Sequence, residues 1–390
     1  QRQMCIRDSW DRCYIQSQEG VILDDVNLVG LVMDTLIQLE VDVAQRDALA
    51  AMYGFAYEDA TATTKNLNQG HALSSIVATL NAAQTNYYSY SMPLLSSLLG
   101  KGARKFFQIG ATNKLQLVLQ SAAILPITFI TSTATTAAQF RITIDNISLN
   151  LQYVDIGAEG VKMLNKTGVQ YYDGITYRVS SATLPSTAGA VSLLTGIRGS
   201  SVRGLMTRVC EAATQTTAGC VNYIYDSKCP QATSAAYNVN GILVPPNPVD
   251  LIHAPATAFS MAQECNGSFN TYEFKSGLVP SQYFVYVPSG TALASDADKV
   301  FSLSSSSSQV AAQAQFLFGQ NLEKISKYGI LDGANLNSGN TFLNLVISNA
   351  STNTLTFYFI AKMDIIYILD TNTGSCLLYT SPSPRDQRGS

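Results

Sequence analysis

Leu355-Thr356-Phe357-Tyr358-Phe359-Ile360-Ala361-Lys362-Met363-Asp364-Ile365-Ile366-Tyr367-Ile368-Leu369 is the stretch on which the fold turns. It is the most apolar part of the chain, yet it falls short of the ~18–20 apolar residues that a membrane-spanning helix needs. Lys362 and Asp364 interrupt it, and its aromatic and β-branched residues suit a strand. Just upstream, Phe342 to Ile347 alternates in the same way, and a short Asn/Ser/Thr gap separates the two. The same arrangement occurs earlier. Leu115, Leu117 and Leu119 alternate with Gln116, Val118 and Gln120, giving a period-2 strand with one polar face. A Ser/Thr-rich gap follows, then a long alternating run from Arg141 to Tyr153, broken at Asp145-Asn146 where a bulge fits. Two strand pairs, each ending one half of the chain, point to an internal duplication.

Between these landmarks the pattern is mostly β. Tyr14 to Val21 reads as a short strand. Asp24-Asp25 precedes Val26, Val29, Met33, Leu36 and Ile37, a helical spacing with an acidic N-cap. A second helix is expected over Val41–Met52, and Glu58–Gln84 reads as a polar surface excursion. A glycine-punctuated linker follows Tyr153, with helical character from Glu159 to Leu164. Strands are expected over Thr176–Ser180, Ala190–Thr195, Val202–Cys210 and Tyr283–Val287. Pro245-Pro246-Asn247-Pro248 lacks the N–H donors of a central strand and reads as an extended loop into a helix over Ala256–Glu264. Ser304–Ser308 reads as a surface loop, and Asn321–Tyr328 as a short helix ending at Gly329.

Of the 390 residues, 46% are hydrophobic and only 13% are charged. The charged share is about half that of an ordinary soluble domain. Surface buried against other subunits, or covered by uncharged Ser, Thr, Asn and Gln, accounts for such a composition. A net charge of -3 and a pI near 5.4 argue against a basic nucleic-acid-binding surface. The 20 tyrosines against one tryptophan suit buried interfaces, where a ring packs and a hydroxyl still finds a partner.

The chemistry-bearing inventory is thin. His71 and His253 are isolated from each other, and no HExxH, GxSxG, Walker or GxGxxG motif occurs. Asp296 and Asp298 lack the further carboxylates that a calcium ion needs. The cysteines form no CxxC pair. Cys13, Cys210, Cys220, Cys229 and Cys265 are irregularly spaced and read as free thiols in a reducing compartment. The N-x-S/T sequons at Asn146, Asn165, Asn266 and Asn349 are expected by chance in so Asn/Ser/Thr-rich a chain. Arg178, Arg198, Arg203 and Arg208 bias one region to the basic side. Acidic neighbours or packaged nucleic acid are the functional reading, and a solvated strand face is the favoured one. Arg203 and Arg208 are an odd number apart, so an unbroken strand sends them to opposite faces. No catalytic, cofactor-binding or metal-binding residue is assigned.

The two ends read differently. Met4-Cys5-Ile6-Arg7-Asp8 back-translates to ATGTGTATAAGAGAC, and Cys376-Leu377-Leu378-Tyr379-Thr380-Ser381 to TGTCTCTTATACACATCT. The first string is the reverse complement of a stretch within the second, and both resemble a transposase adapter used in sequencing libraries. Residues 1–9 and 376–390 are therefore expected to be adapter-derived and are excluded from fold reasoning.

Five stretches, in order, resemble the double jelly-roll major capsid proteins of DNA viruses, the adenovirus, polinton-like and virophage lineage. They are Gln18–Asp25; Met92-Pro93-Leu94-Leu95 through Gly100 with Phe106–Gly110; Tyr177–Ser181, Leu184-Pro185 and Gly199–Arg203; Val239-Asn240-Gly241 with Pro245–Pro248; and Phe318–Lys324 with the final strand. The resemblance covers about Gln18 to Asp370. It implies an all-β chain with short helices, built as two jelly-roll barrels side by side, the first incomplete at its N-terminus. On that reading residues 10–165 are the C-terminal part of the first barrel with a helical insertion, and 166–375 are the second barrel. It further implies a non-enzymatic subunit of an icosahedral virion, assembled inside the host cell. Its partners would be copies of itself in a trimeric, pseudo-hexagonal capsomer and then a lattice, other capsid proteins such as a penton, and packaged DNA indirectly. No cofactor is implied. The alternatives are a β-rich receptor-binding or adhesive fibre protein, which tandem Gly/Asn repeats would favour, and a jelly-roll carbohydrate-active protein, which clustered tryptophans would favour. Neither feature is present.

Overall fold

The computed structural model describes residues 10–18, 20–41, 91–109, 114–121, 147–211, 227, 230, 232–265, 276–278, 283, 316–323, 332–337, 339–348, 354–371, 373 and 375–379. The second half of the chain contains β4 (Val169–Leu184), β5 (Gly189–Leu194), β6 (Val202–Glu211), β7 (Ala232–Val239), β8 (Ile242–Asp250), β9 (Phe318–Asn321), β10 (Thr341–Ile347) and β11 (Leu355–Asp370). They form two antiparallel sheets. One has the order β5-β10-β7-β8. In the other, β11 lies between β4 and β6, and β9 flanks β6. Numbered one to eight, the strands interleave as 1-8-3-6 and 2-7-4-5, which is the connectivity of a jelly roll. The two sheets are bolted together at Tyr237 of β7. Its hydroxyl donates to the Phe318 carbonyl on β9 at 3.1 Å and lies 2.6 Å from the Thr207 hydroxyl on β6.

β11 occupies most of the stretch that decides the fold, and it is buried on both faces. That explains its near-continuous apolar sequence. β4 pairs with all of it, from Leu355↔Leu184 to Asp370↔Val169. On its other edge β6 covers the first part, and β12 (Ser375–Tyr379) covers Ile366 to Asp370. β12 lies mostly in the stretch expected to be adapter-derived. Its apolar Cys376-Leu377-Leu378-Tyr379 pairs with an open strand edge whatever its origin.

The first half contributes β1 (Trp10–Ser17), β2 (Ile22–Asn27) and β3 (Leu115–Ser121) in the order β2-β1-β3, with helix α1 (Val29–Glu40) between β2 and β3 in sequence. α1 is buried on nearly every side, as befits a helix held between layers. α2 (Gly157–Asn165) buries no residue, and α3 (Pro255–Glu264) follows β8. β1, β2, α1 and β3 repeat the order and pairing of β7, β8, α3 and β10. The first member of each expected strand pair is thus visible in equivalent places, as β3 and β10, whereas residues 147–153 form no counterpart of β11.

Several expectations need correction. Asp24 and Asp25 lie within β2 and do not cap the helix; Leu28, in the left-handed region, stands at its N-cap. Pro245–Pro248 lie inside β8, on the sheet edge. Val244 pairs with Tyr237 and Val249 with Ala235, so the proline segment bulges out with no ladder partner required of it. Asn321 ends β9 instead of opening a helix. Residues 147–156 form no strand. The expected helix after Val41, the 58–84 excursion, residues 141–146, residues 284–287, the serine run and residues 324–329 lie outside the described residues.

Candidate functional site

The buried charged side chains among the described residues, Asp24, Asp34, Arg203, Arg208 and Asp364, lie along one seam, where β2, α1 and residues 94–105 meet the β4-β11-β6-β9 sheet. β6 supplies two arginines to it. Thr207 points inward to Tyr237, so Met206 and Arg208 face outward, toward α1. There the Arg208 Nη1 lies 2.5 Å from the Asp34 Oδ2 of α1 and 3.3 Å from the Thr35 hydroxyl. Gln38, one turn on, donates to the same Asp34 oxygen at 2.8 Å.

Arg203 reaches the outer face through a bulge. Lys362 pairs with Gly204 and Met363 with Val202, so Arg203 is the extra residue of the bulge. Its Nε donates to Asp364 Oδ1 at 2.6 Å, and its Nη1 to Glu323 at 3.2 Å. The Ser201 hydroxyl donates to the other Asp364 oxygen at 2.6 Å. The side chains of Arg203 and Arg208 are 2% and 1% exposed, which rules out a solvated strand face for both. The bulge resets the parity and places them on one face. Arg178 and Arg198 are exposed, as a solvated face requires.

The 94–105 segment closes the seam. Gly102 and Gly174 lie against each other's backbone, and the Ile175 amide donates to the Gly102 carbonyl at 2.9 Å. Arg104 lies 3.5 Å from Asp364 and 3.3 Å from Asp173, and Lys105 lies 2.9 Å from Asp173. Burial tends to raise the Asp173 pKa, but hydrogen bonds from Lys105 and Arg104 outweigh it and leave the carboxyl below the usual range. Asp24 accepts from the Ser97 amide at 2.6 Å and from the Thr176 hydroxyl at 3.1 Å, and Ser97 Oγ lies 2.5 Å from the Tyr367 hydroxyl. Burial lowers the pKa of Lys362 and raises that of Tyr177, both on this face.

Magnitudes separate the roles. Val29, Leu31, Val32, Met33, Leu36, Ile37 and Leu39 of α1 are all buried; at ~1.5–3 kcal/mol each their gross contribution is about 10–20 kcal/mol. A buried ion pair roughly breaks even against desolvation. Apolar burial therefore holds the layers together, and the charges set their register.

The remaining expected candidates do not join this seam. His253 is exposed, with Nδ1 2.8 Å from Asp250 Oδ2; the Asp250 carboxylate also accepts the amides of Ile252 and His253, which makes it a turn cap. Those bonds hold its pKa below the usual range. Asn165 ends α2 and accepts from Gln170. Cys13, Cys210 and Cys265 are buried free thiols, and burial pushes Cys13 and Cys265 up to about 12. His71, Asp296, Asp298, Cys220, Cys229, Asn146, Asn266 and Asn349 lie outside the described residues. Among the described residues no group of three or more His, Cys, Asp or Glu is placed to hold a metal ion, and no helix is long and apolar enough to cross a membrane. Sequence reasoning missed Asp24, Asp34 and Asp364. Asp34 and Asp364 stand as single carboxylates inside apolar runs, the one local hint, whereas Asp24 sits beside Asp25 in a pattern that suits a helix cap.

No family model matches the chain, and no curated protein matches it. Among solved structures, PBCV-1 VP54, a crystal structure fitted into a cryo-EM reconstruction of the virophage Sputnik, aligns over 97% of this chain and 86% of its own. Its sequence identity is 10% and the TM-score is 0.50. The chain has the double jelly-roll fold. The mavirus major capsid protein aligns over 99% of this chain and 80% of its own, at 12% identity and a TM-score of 0.46. A chain of the Sputnik virophage aligns over 99% and 77%, at 12% identity and a TM-score of 0.43. Within the double jelly roll, the seam just described joins β2, α1 and residues 94–105 to the β4-β11-β6-β9 sheet.

Proposed function

We propose that the chain is a structural subunit of an icosahedral viral capsid, a major capsid protein with no catalytic role. The observation that carries this reading is the rigid joining of two units. A complete eight-stranded jelly roll is locked, through α1 and a buried charged seam, to a second sheet of matching topology. Such a block presents fixed flanks to neighbours, which suits closed head-to-tail rings. The small share of charged residues supports extensive burial against other copies. We assign residues 10–165 to the first unit and 166–375 to the second, with 1–9 and 376–390 outside the natural protein. The partners are two further copies in a pseudo-hexagonal trimer, then the lattice and other capsid proteins such as a penton. Contact with packaged DNA is indirect. The working location is the virion, after assembly inside the host cell. The carbohydrate-active alternative loses its stacking platform, since Trp10 is buried in the core.

The test is sedimentation and negative-stain electron microscopy of the natural chain at rising concentration. Trimers that tile into sheets or shells are expected. A chain that stays monomeric under every assembly condition refutes the reading.

A further inference from the structure

The turn between β7 and β8 carries a chemically reactive pair that neither the jelly-roll core nor the charged seam uses. Asn240 and Gly241 join the two strands, with Val239 paired to Ile242 on either side. Both are exposed, and both have positive φ, 53 and 87. An Asn-Gly step leaves the backbone nitrogen after the asparagine unhindered, because glycine sets no Cβ beside it. The space around Gly241 is open, since a Cβ there meets nothing within 4 Å. Among the described residues no hydrogen bond uses its amide.

Asn240 is restrained at its side chain. Its Nδ2 donates to the Asn335 carbonyl at 2.9 Å, and Gly339 lies against its Oδ1 so closely that a Cβ would overlap it. The segment that accepts this bond is itself fixed. Ala334 and Val202 exchange amide–carbonyl bonds at 2.9 Å, and the Leu336 amide donates to the Gly199 carbonyl at 2.8 Å. The Gly333 amide donates to the Ser201 hydroxyl at 2.9 Å. The Asn240 amide is thus pinned to a well-held partner. Bringing Cγ to the Gly241 nitrogen needs rotation of the Asn240 side chain and backbone, so the pin must open first.

We propose that Asn240 is a site of spontaneous deamidation gated by its hydrogen bond to Asn335. When that bond opens, the Gly241 nitrogen attacks Asn240 Cγ. The Cγ–Nδ2 bond breaks, and the proton lost from the Gly241 nitrogen leaves with the ammonia, which closes a succinimide. Water then opens the ring at one carbonyl or the other and leaves aspartate or isoaspartate. Either product removes the Nδ2 donor and sets an acceptor carboxylate against the Asn335 carbonyl. Isoaspartate also lengthens the turn backbone by one carbon, which no longer suits a two-residue turn between paired strands. The site is independent of the capsid role.

Peptide mapping by mass spectrometry of the folded chain, incubated at mildly alkaline pH and sampled over time, tests it. Aspartate and isoaspartate should accumulate at 240 ahead of Asn238, Asn335 and Asn337, and more slowly than in the same chain unfolded in urea. Gly339→Ala places its Cβ against the Asn240 side chain, which can swing away from Asn335. Conversion in this folded variant should be ~2–10-fold faster than in the parent, the factor that one exposed hydrogen bond is worth. A urea melt matching the parent's shows that the variant is folded. Asn240→Asp, which reproduces one product, should speed amide hydrogen exchange at 335–337 by a similar factor while β11 stays protected. No conversion at 240 in the folded chain, over a time that completes it in urea, overturns the proposal. Equal rates in the folded and urea-unfolded chain, or in Gly339→Ala and the parent, overturn it too, since the hydrogen bond is then no gate. Unchanged exchange at 335–337 in Asn240→Asp does the same, because the bond then holds nothing.

Discussion

Replacing Asp34 or Arg208 tests the division of labour at the seam most directly. The two side chains are 6% and 1% exposed, so each substitution strands a charge in a nearly dry interface. Removing one member of such a pair typically costs about 3–5 kcal/mol. The two variants should differ. In Arg208→Met, Asp34 keeps the Gln38 amide at 2.8 Å and can take up a proton. In Asp34→Leu, the guanidinium cannot lose its charge, and the Thr35 hydroxyl at 3.3 Å is a weak substitute. Asp34→Leu is therefore expected at the upper end of the range and Arg208→Met at the lower. Protonation relieves a stranded Asp34, so the deficit of Arg208→Met relative to the parent should narrow as pH falls. The double variant Asp34→Leu/Arg208→Met leaves no buried charge and should return to within about 1 kcal/mol of the parent, or exceed it. In melting temperature the single losses amount to about 6–20 °C. The assay is urea denaturation followed by circular dichroism and by fluorescence of Trp10, the single tryptophan, which shares the hydrophobic core with α1. Single losses below about 1 kcal/mol, or a double variant as weak as the sum of the singles, would refute the view that apolar burial holds the layers while the ions set register.

Three further outcomes follow from particular contacts. A Cβ on Gly102 would sit 1.9 Å from the Ile175 carbonyl oxygen, and one on Gly174 2.4 Å from that of Ser97. Either Gly→Ala change should cost about 1–3 kcal/mol or more in thermal denaturation, because backbone cannot step aside. Asn240 and Gly241, at φ 53 and 87, form the two-residue turn joining β7 to β8, and a Cβ on Gly241 meets nothing within 4 Å. Gly241→Val should thus lose about 1–2 kcal/mol through backbone strain alone, while Asn240→Gly is tolerated in the same melt. The depressed Asp173 pKa contributes stability that is present above its unfolded value near 3.8 and is lost as pH falls through the folded value. Urea midpoints of the parent and Asp173→Asn should therefore differ at pH 7 and converge in acid; a constant gap would remove Asp173 from the acid response.

Much of the β framework was legible because its signal is local. β3, β5, β6, β10 and β11 announce themselves by alternation or by β-branched and aromatic runs, and α3 by its proline at the first turn. β7 was not legible. Its Ala-Thr-Ser-Ala-Ala-Tyr-Asn-Val has no strong β pattern, and it is a strand because β10 and β8 pair with its two edges. β4 extends far beyond Thr176–Ser180 for a similar reason, since β11 pairs with all of it, polar residues included.

The seam shows where local information ends. By itself the sequence determined an all-β chain with short helices, a repeated closing strand and no recognisable catalytic motif, because alternation and motif spacing are properties of neighbouring residues. Only the tertiary structure decided that Asp24 binds Ser97 and Thr176 instead of capping a helix, and that Asp34 meets Arg208. It also decided that Arg203 and Arg208 share one buried face. A one-residue bulge opposite Lys362 and Met363 reverses the parity between them, and a helix far away in sequence covers the result. The destination of a charge depends on which surface is brought against it, and a linear pattern does not contain that surface.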